Sequence, residues 1–303
     1  MNKEDLSSFI TTLIINNFHL KSVNRISEGN SIINAFKIDK LGAKINYSIL
    51  VNTAYSNSIL INTLLETSAG LNSTPIIVSD LLSSSYCKTY TFSEFSNLIG
   101  GFINTGLILI PELSNILKEL GHNKLYEGLD GKPDKLLEIY SKECLQYLMV
   151  SPAKRFGSDR LFESLPDGIV LGKNRLIIQF DAKAYSNGFD FQADDIERFS
   201  KYVNDFNNRY SQYLGRIYYF LVVSGHFNDS VNSIKNRSDE LFTKCQARLS
   251  CITSEELGKI VKLISTMPLV RNAINWNNVL VNNEVNESSI TDELKRIQKD
   301  NFV

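Results

Sequence analysis

Three consecutive segments in the front part of the chain fix its class of fold. Ala43–Thr53 alternates Ile45, Tyr47, Ile49 and Val51, the period of a strand. Ser56–Ala69 repeats apolar residues at helical spacing, and Pro75–Ser79 reads as a short buried strand. Strand, helix and strand over this length form a crossover unit, which sets the two strands parallel and makes the chain α/β. With 303 residues, and about 150 residues to a domain, two domains are expected.

Composition narrows the class by exclusion. Hydrophobic residues make up 43% and charged residues 21%, the balance of a globular protein with ample core. No apolar run reaches the ~20 residues of a membrane span. Met1-Asn2-Lys3-Glu4-Asp5 has neither a secretory apolar region nor a small-residue cleavage site, so a cytoplasmic protein is expected. Cys87, Cys144, Cys245 and Cys251 form no CxxC pair and have no histidine at ligand spacing, which argues against zinc and against a disulfide framework. The net charge of −1 excludes a polybasic coat, although a compact basic patch is invisible in such a sum.

Helices are expected over Leu6–Phe18, over Thr91–Leu107 with its Gly100-Gly101 pair, and over Glu112–Leu120, opened by Pro111 and stopped by Gly121. Gly128-Leu129-Asp130-Gly131-Lys132-Pro133 is the densest cluster of chain breakers, and the domain boundary is placed there. That gives a front α/β domain at 1–130 and a second domain at 131–303. The second opens on an amphipathic helix, Asp134–Met149. No internal repeat is legible. Residues 282–303 are polar and read as a surface helix or a loose tail.

The chemistry concentrates in Leu165-Pro166-Asp167-Gly168-Ile169-Val170 and Arg175-Leu176-Ile177-Ile178-Gln179-Phe180-Asp181-Ala182-Lys183. These are two strands joined by a turn at Gly172-Lys173-Asn174. Antiparallel pairing would bring Asp167 near Asp181. Residues two apart on a strand share a face, so Asp181 and Lys183 project together. Two carboxylates and an ammonium are the set that phosphodiester hydrolysis needs. Hard carboxylate oxygens suit Mg²⁺, which activates a bound water and stabilises developing charge. Lys183 could orient or deprotonate that water, or neutralise the scissile phosphate. This is a PD-(D/E)xK arrangement. Taken alone, a turn proline and a solvated strand end would explain the same residues.

A wider pattern adds to it. From about Asp134 to Leu257 the chain resembles the cleavage domain of FokI-type restriction endonucleases. The resemblance rests on Pro166-Asp167-Gly168, on Asp181-Ala182-Lys183-Ala184-Tyr185-Ser186-Asn187-Gly188-Phe189, on Gln192-Ala193-Asp194-Asp195-Ile196-Glu197-Arg198-Phe199, and on Phe220-Leu221-Val222-Val223-Ser224-Gly225-His226-Phe227. Glu138 and Glu143 also match acidic positions of the family's first helix. The resemblance implies a restriction-endonuclease-like domain with a mixed central sheet flanked by helices. It also implies metal binding by Asp167 and Asp181, water activation by Lys183, Mg²⁺ as cofactor and double-stranded DNA as partner.

Several further residues have two readings. Glu138 is either a further metal ligand or a solvated helix carboxylate. His226, at a strand end, suits a structural hydrogen bond or a phosphate contact better than a catalytic base. Lys154 and Arg155 lie in a basic segment, longer than in the family, that suits phosphate contact. Asp194 and Arg198, four apart, are an i,i+4 ion pair on a solvated face, or, as the resemblance implies, the self-complementary contact of two cleavage domains across a two-fold axis. Trp276, beyond the resemblance, reads as packing.

Residues 1–130 carry no clear resemblance. The helices around Gly100-Gly101 and Glu112–Leu120 would also suit a helix-turn-helix. Two functions are therefore expected to compete. One is a self-sufficient restriction endonuclease, or a subunit of a restriction system, with a recognition domain in front. The other is an anti-phage defence nuclease activated by a partner protein bound to residues 1–130.

Overall fold

The computed structural model describes residues 3–38, 43–53, 58–99, 111–156, 165–171 and 176–300. The chain forms two compact units, divided between Asn104 and Thr105. In the front unit α1 (Lys3–Ile15) leads into β1 (His19–Ser27), β2 (Asn30–Ile38) and β3 (Lys44–Asn52). Helix α2 (Ser58–Leu71) then crosses to β4 (Thr74–Ser79), followed by β5 (Lys88–Tyr90) and α3 (Phe92–Ile99). The sheet runs β1-β2-β3-β4-β5, antiparallel across β1, β2 and β3 and parallel from β3 to β5. Ile32, Leu50 and Ile77 pack on Leu60 and Leu64 of α2. Phe9 of α1 stacks on Phe95 of α3 at 5.7 Å.

The crossover unit forms as expected, whereas β1 and β2 had no clear signature. Most of β1 is exposed at the sheet edge, so its sequence does not alternate. Its hairpin to β2 closes on Glu28 and Gly29, with Gly29 at a φ of 77° that favours glycine.

In the second unit α4 (Leu113–Gly121) and α5 (Pro133–Met149) precede β6 (Ala153–Arg155), β7 (Gly168–Leu171) and β8 (Ile177–Lys183). Then come α6 (Ala193–Leu214), β9 (Ile217–Ser224), α7 (Val231–Cys245), β10 (Arg248–Thr253) and α8 (Ser254–Ser265). The chain continues through α9 (Pro268–Arg271), α10 (Trp276–Leu280), β11 (Glu284–Val285) and α11 (Glu287–Asp300). The mixed sheet runs β11-β10-β9-β8-β7-β6, antiparallel at β6-β7-β8 and parallel elsewhere.

Helices cover both faces of this sheet. Phe180, Ala182, Leu221 and Val223 join Leu137 and Leu145 of α5 and Leu257 and Ile260 of α8 in one core. On the other face Phe199 of α6 stacks on Phe220 at 4.1 Å, and the Gln179 amide donates to the Tyr202 carbonyl. Side chains alternate along β8, so Asp181 shares the α6 face with Gln179.

The Gly128–Pro133 cluster is not where the compact units divide. Leu113, Ile116, Leu117 and Leu120 of α4 belong to the core of the second unit, and Tyr126 and Leu129 pack against it. The breakers make a turn between two helices of one core, with Lys132 as N-cap and Pro133 opening α5. Since α3 and α4 fall in different units, they are not a helix-turn-helix of the front domain. The Gly100-Gly101 pair and the Gly172-Lys173-Asn174 turn lie outside the described residues.

Of the two expected readings of the C-terminal segment, a surface helix or a loose tail, the described residues form a helix, α11, packed on the core. Ile290 and Ile297 of α11 are buried in the core, as is Trp276. Glu293 is also buried and accepts hydrogen bonds from the Asn275 N–H (2.9 Å), the Asn278 amide (2.8 Å) and Arg296 (2.7 Å). All four cysteines are free thiols. No described helix is long and apolar enough to cross a membrane.

Candidate active site

The register of β7 and β8 pairs Gly168 with Phe180, so the residue before β7 meets the residue after Phe180. The N–H of Asp167 donates to Asp181 Oδ1 at 3.0 Å, and the N–H of Ala182 donates to Asp167 Oδ2 at 2.8 Å. Lys183 Nζ lies 2.9 Å from Asp181 Oδ2. The structure thus brings together the three residues expected from the sequence. Gly168 makes this possible: a Cβ there would stand 2.4 Å from the Phe180 ring and 2.7 Å from the Lys154 carbonyl oxygen. The glycine of Pro-Asp-Gly serves close strand approach as much as a turn.

Burial makes the site electrostatically tense. Asp181 is 3% exposed. Asp167 has its pKa raised to about 7, first by burial and then by the charges of Asp181 and Glu138, which Lys183 only partly offsets. Burial opposes the charge on Lys183, but Asp181 and Asp167 outweigh it and hold the ammonium protonated beyond its usual range, with Arg198 acting in the opposite sense.

Glu138 is not a solvated helix carboxylate, since it is 3% exposed on α5. Lys135 Nζ stands 2.5 Å from its Oε1 and Arg155 3.5 Å from its Oε2, an oxygen that accepts no hydrogen bond. Arg155 is therefore engaged by this carboxylate. Lys135, absent from the expected set, was legible in hindsight, because i,i+3 residues are neighbours on a helix.

These residues fit a hard divalent cation. The half-buried Asp167 and the buried Asp181 stand side by side and repel each other, and a third carboxylate, Glu138, has an orphaned oxygen. Among the described residues no three His, Cys, Asp or Glu side chains gather tightly enough to enclose a metal by themselves. A cation here would rest on Asp167 and Asp181 and keep much of its water, the usual habit of Mg²⁺.

The other expected residues fall into different settings. Arg198 bonds Asp195, not Asp194, and Asp195 also closes the capping box of α6 with Gln192. The i,i+4 pair is displaced because Asp195 is already fixed by that cap, whereas Asp194 is exposed. His226 is exposed, and its carbonyl accepts from the Phe189 N–H at 2.9 Å. Lys154 is half-buried on β6. Glu143 pairs with Lys142 at 2.8 Å.

A mixed sheet that sets two acids and a lysine on adjacent central strands, between helical layers, defines a restriction-endonuclease-like α/β domain. Residues 112–286, more than half of the sequence, match the family of the FokI cleavage domain, and the chain belongs to that family. The match begins at α4 and runs past Leu257 to β11, wider at both ends than the resemblance read from motifs. The restriction endonuclease FokI is similar in structure at 22% identity and a TM-score of 0.44, covering 59% of this chain and 32% of that one. FokI bound to DNA gives 21% identity and a TM-score of 0.42, covering 68% and 34%. The chain spans about a third of the length of those proteins. No curated protein matches it significantly.

Proposed function

We propose that this chain is a metal-dependent endonuclease that hydrolyses phosphodiester bonds of double-stranded DNA, acting as a restriction endonuclease or as a subunit of a restriction system. The observation that carries the reading is the contact of the half-buried Asp167 with the buried Asp181, beside Lys183. Asp167 and Asp181 would hold the cation, Mg²⁺ by preference. When bound, it would supply an acidified water and a positive centre for the negative charge on the phosphoryl oxygens. Glu138, with its orphaned oxygen, is proposed as a further ligand of the cation.

Lys183 is held protonated between two acids, so its role here is to neutralise the scissile phosphate and orient the attacking water rather than to remove its proton. Lys154 and His226 are proposed as contacts to the DNA backbone. Asp194 and Arg198 are proposed to pair two cleavage domains, as a homodimer or a heterodimer, because antiparallel strands need two sites related by two-fold symmetry. The test is digestion of plasmid by the purified chain with Mg²⁺, with EDTA, and with Asp181→Ala. Cutting that depends on both metal and Asp181 is expected; wild-type cutting by Asp181→Ala would refute the assignment.

A further inference from the structure

The two units share one order of connections. In the front unit α1 leads into three antiparallel strands, α2 crosses from β3 to a parallel β4, and β5 adds a further parallel strand. In the second, α5 leads into the antiparallel β6, β7 and β8, α6 crosses from β8 to a parallel β9, and β10 adds a further parallel strand. The strand after the crossover ends alike in both, Ile76-Ile77-Val78-Ser79 against Leu221-Val222-Val223-Ser224. That serine lies opposite Asn52 in the front unit, its Oγ donating to the Asn52 side chain at 2.7 Å, and opposite Lys183 in the second, its Oγ donating to the Lys183 carbonyl at 2.8 Å, so the shared ending is offset by two residues from the site.

The correspondence reaches the site. Asp167 and Asp181 are cross-strand neighbours where the middle strand begins and the third strand ends, on the face of the crossover helix. In the front unit the cross-strand partners at that place are Asn30, which opens β2, and Asn52, which closes β3. They lie on the α2 face, two residues from Ile32 and Leu50, which pack on that helix. Both are buried. Asn52 Nδ2 donates to Asn30 Oδ1 at 2.5 Å, and Ser79 and Ser27 bond the remaining amide groups, so the pair is neutral and satisfied by its own unit. Thr53 and Ala54 follow, with no lysine where the second unit has Lys183. Glu28, two residues before Asn30, and Asp80, next to Ser79, are exposed.

We propose that the front unit is a second copy of the nuclease fold in which two amides replace the metal-holding acids, so that the chain has one cutting centre and one silent one. This rests on the reading of Asp167 and Asp181 as that acidic pair. Without carboxylate charge a hard divalent cation is not held.

The test is Mn²⁺ titration of the full chain by calorimetry, with thermal unfolding in parallel. Wild type should show binding that Asp181→Ala removes; binding indifferent to Asp181 would sink the catalytic reading itself. In the Asp181→Ala background, Asn30→Asp with Asn52→Asp should regain Mn²⁺ affinity by at least ~10-fold over its parent and should melt higher with Mn²⁺ than without. A folded double variant that gains neither, in a protein whose wild type binds through Asp181, overturns the silent-copy proposal. If the paired acids prevent folding, Asn52→Asp alone is read by the same two criteria.

A separate observation gives the front unit a ligand. Its basic and acidic residues balance at seven each over residues 1–104, yet β1, β2 and β3 hold Lys21, Arg25, Lys37 and Lys44 and no acid. Lys21 and Lys44 flank the half-buried Phe36 ring at 5.8 and 4.1 Å, and both are exposed. We infer that these strands hold the phosphate backbone of duplex DNA. Fluorescence anisotropy on a duplex, with Asp181→Ala to prevent cutting, should find Lys21→Glu/Lys44→Glu ~10-fold weaker, its salt slope smaller by about 2. Unchanged affinity and slope would overturn the inference. A parent that binds no DNA would instead refute the nuclease reading.

Discussion

Asp181 sits beside a second acid with almost no water, and backbone N–H groups rather than solvent satisfy part of each carboxylate. On the proposed role, such a residue holds the metal and makes no contact with DNA. Asp181→Ala is accordingly expected to abolish cutting while DNA affinity, read by anisotropy, holds or tightens. Lys183→Ala removes the ammonium proposed to neutralise the scissile phosphate, and the rate should fall ~10²–10³-fold. Metal affinity measured by titration should persist, since both acids remain. Gly168→Ala would act through packing. Its methyl group would meet the Phe180 ring and the Lys154 carbonyl at distances that force β6, β7 and β8 apart. A loss of about 3 kcal/mol or more in urea unfolding is expected.

Single elements carry their own consequences. Helix α11 follows the family match and is anchored through Glu293. Burial alone would raise the pKa of that carboxyl, but hydrogen bonds from Arg296, Asn278 and Asn275 and the Arg296 charge outweigh it and hold it at about 2. A depressed acid stabilises the fold above its unfolded pKa, and that contribution disappears as pH falls toward 2. Glu293→Gln should therefore cost about 2 kcal/mol at pH 7, with its unfolding midpoint converging on that of wild type as acid is added. A gap that stays constant from pH 7 to pH 2 would show that the charge is not what anchors the helix. Helix α4 is bound to its unit in another way, by the burial of Leu113, Ile116, Leu117 and Leu120.

For the whole molecule that burial decides where the chain can be divided. A fragment of residues 111–303 keeps α4 and should unfold cooperatively. A fragment of residues 131–303 exposes the surface that α4 covers and should aggregate or melt well below it in calorimetry. The proposed pairing of two cleavage domains acts at the same scale. Arg198→Asp sets carboxylates against each other in a two-fold pair, so double-strand breaks should fall far more than single-strand nicks. Mixing with Asp194→Arg should restore part of the activity. Linearisation of plasmid by Arg198→Asp at the wild-type rate, in dilute solution, would return α6 to a plain solvated face.

The local signals that could be read from the sequence were those fixed by neighbours along the chain. The alternation in β3, the crossover through α2 to β4, the Pro111 start of α4 and the Asp-x-Lys end of β8 are of this kind, and the wider run of motifs from Pro166 to Phe227 carries the family resemblance. Other features arise only when distant residues meet. β1 is mostly exposed at a sheet edge, so nothing in its composition announces it. Glu138 is buried because α5 lies over the sheet beside Arg155, and α11 is packed because its Ile290 finds a core assembled from far earlier segments. The recurrence of one connectivity in both units left almost no trace in the residues, since hydrogen-bonded strand order tolerates nearly any apolar set. Sequence determined which groups could do chemistry; tertiary structure alone decided that the same architecture was built twice.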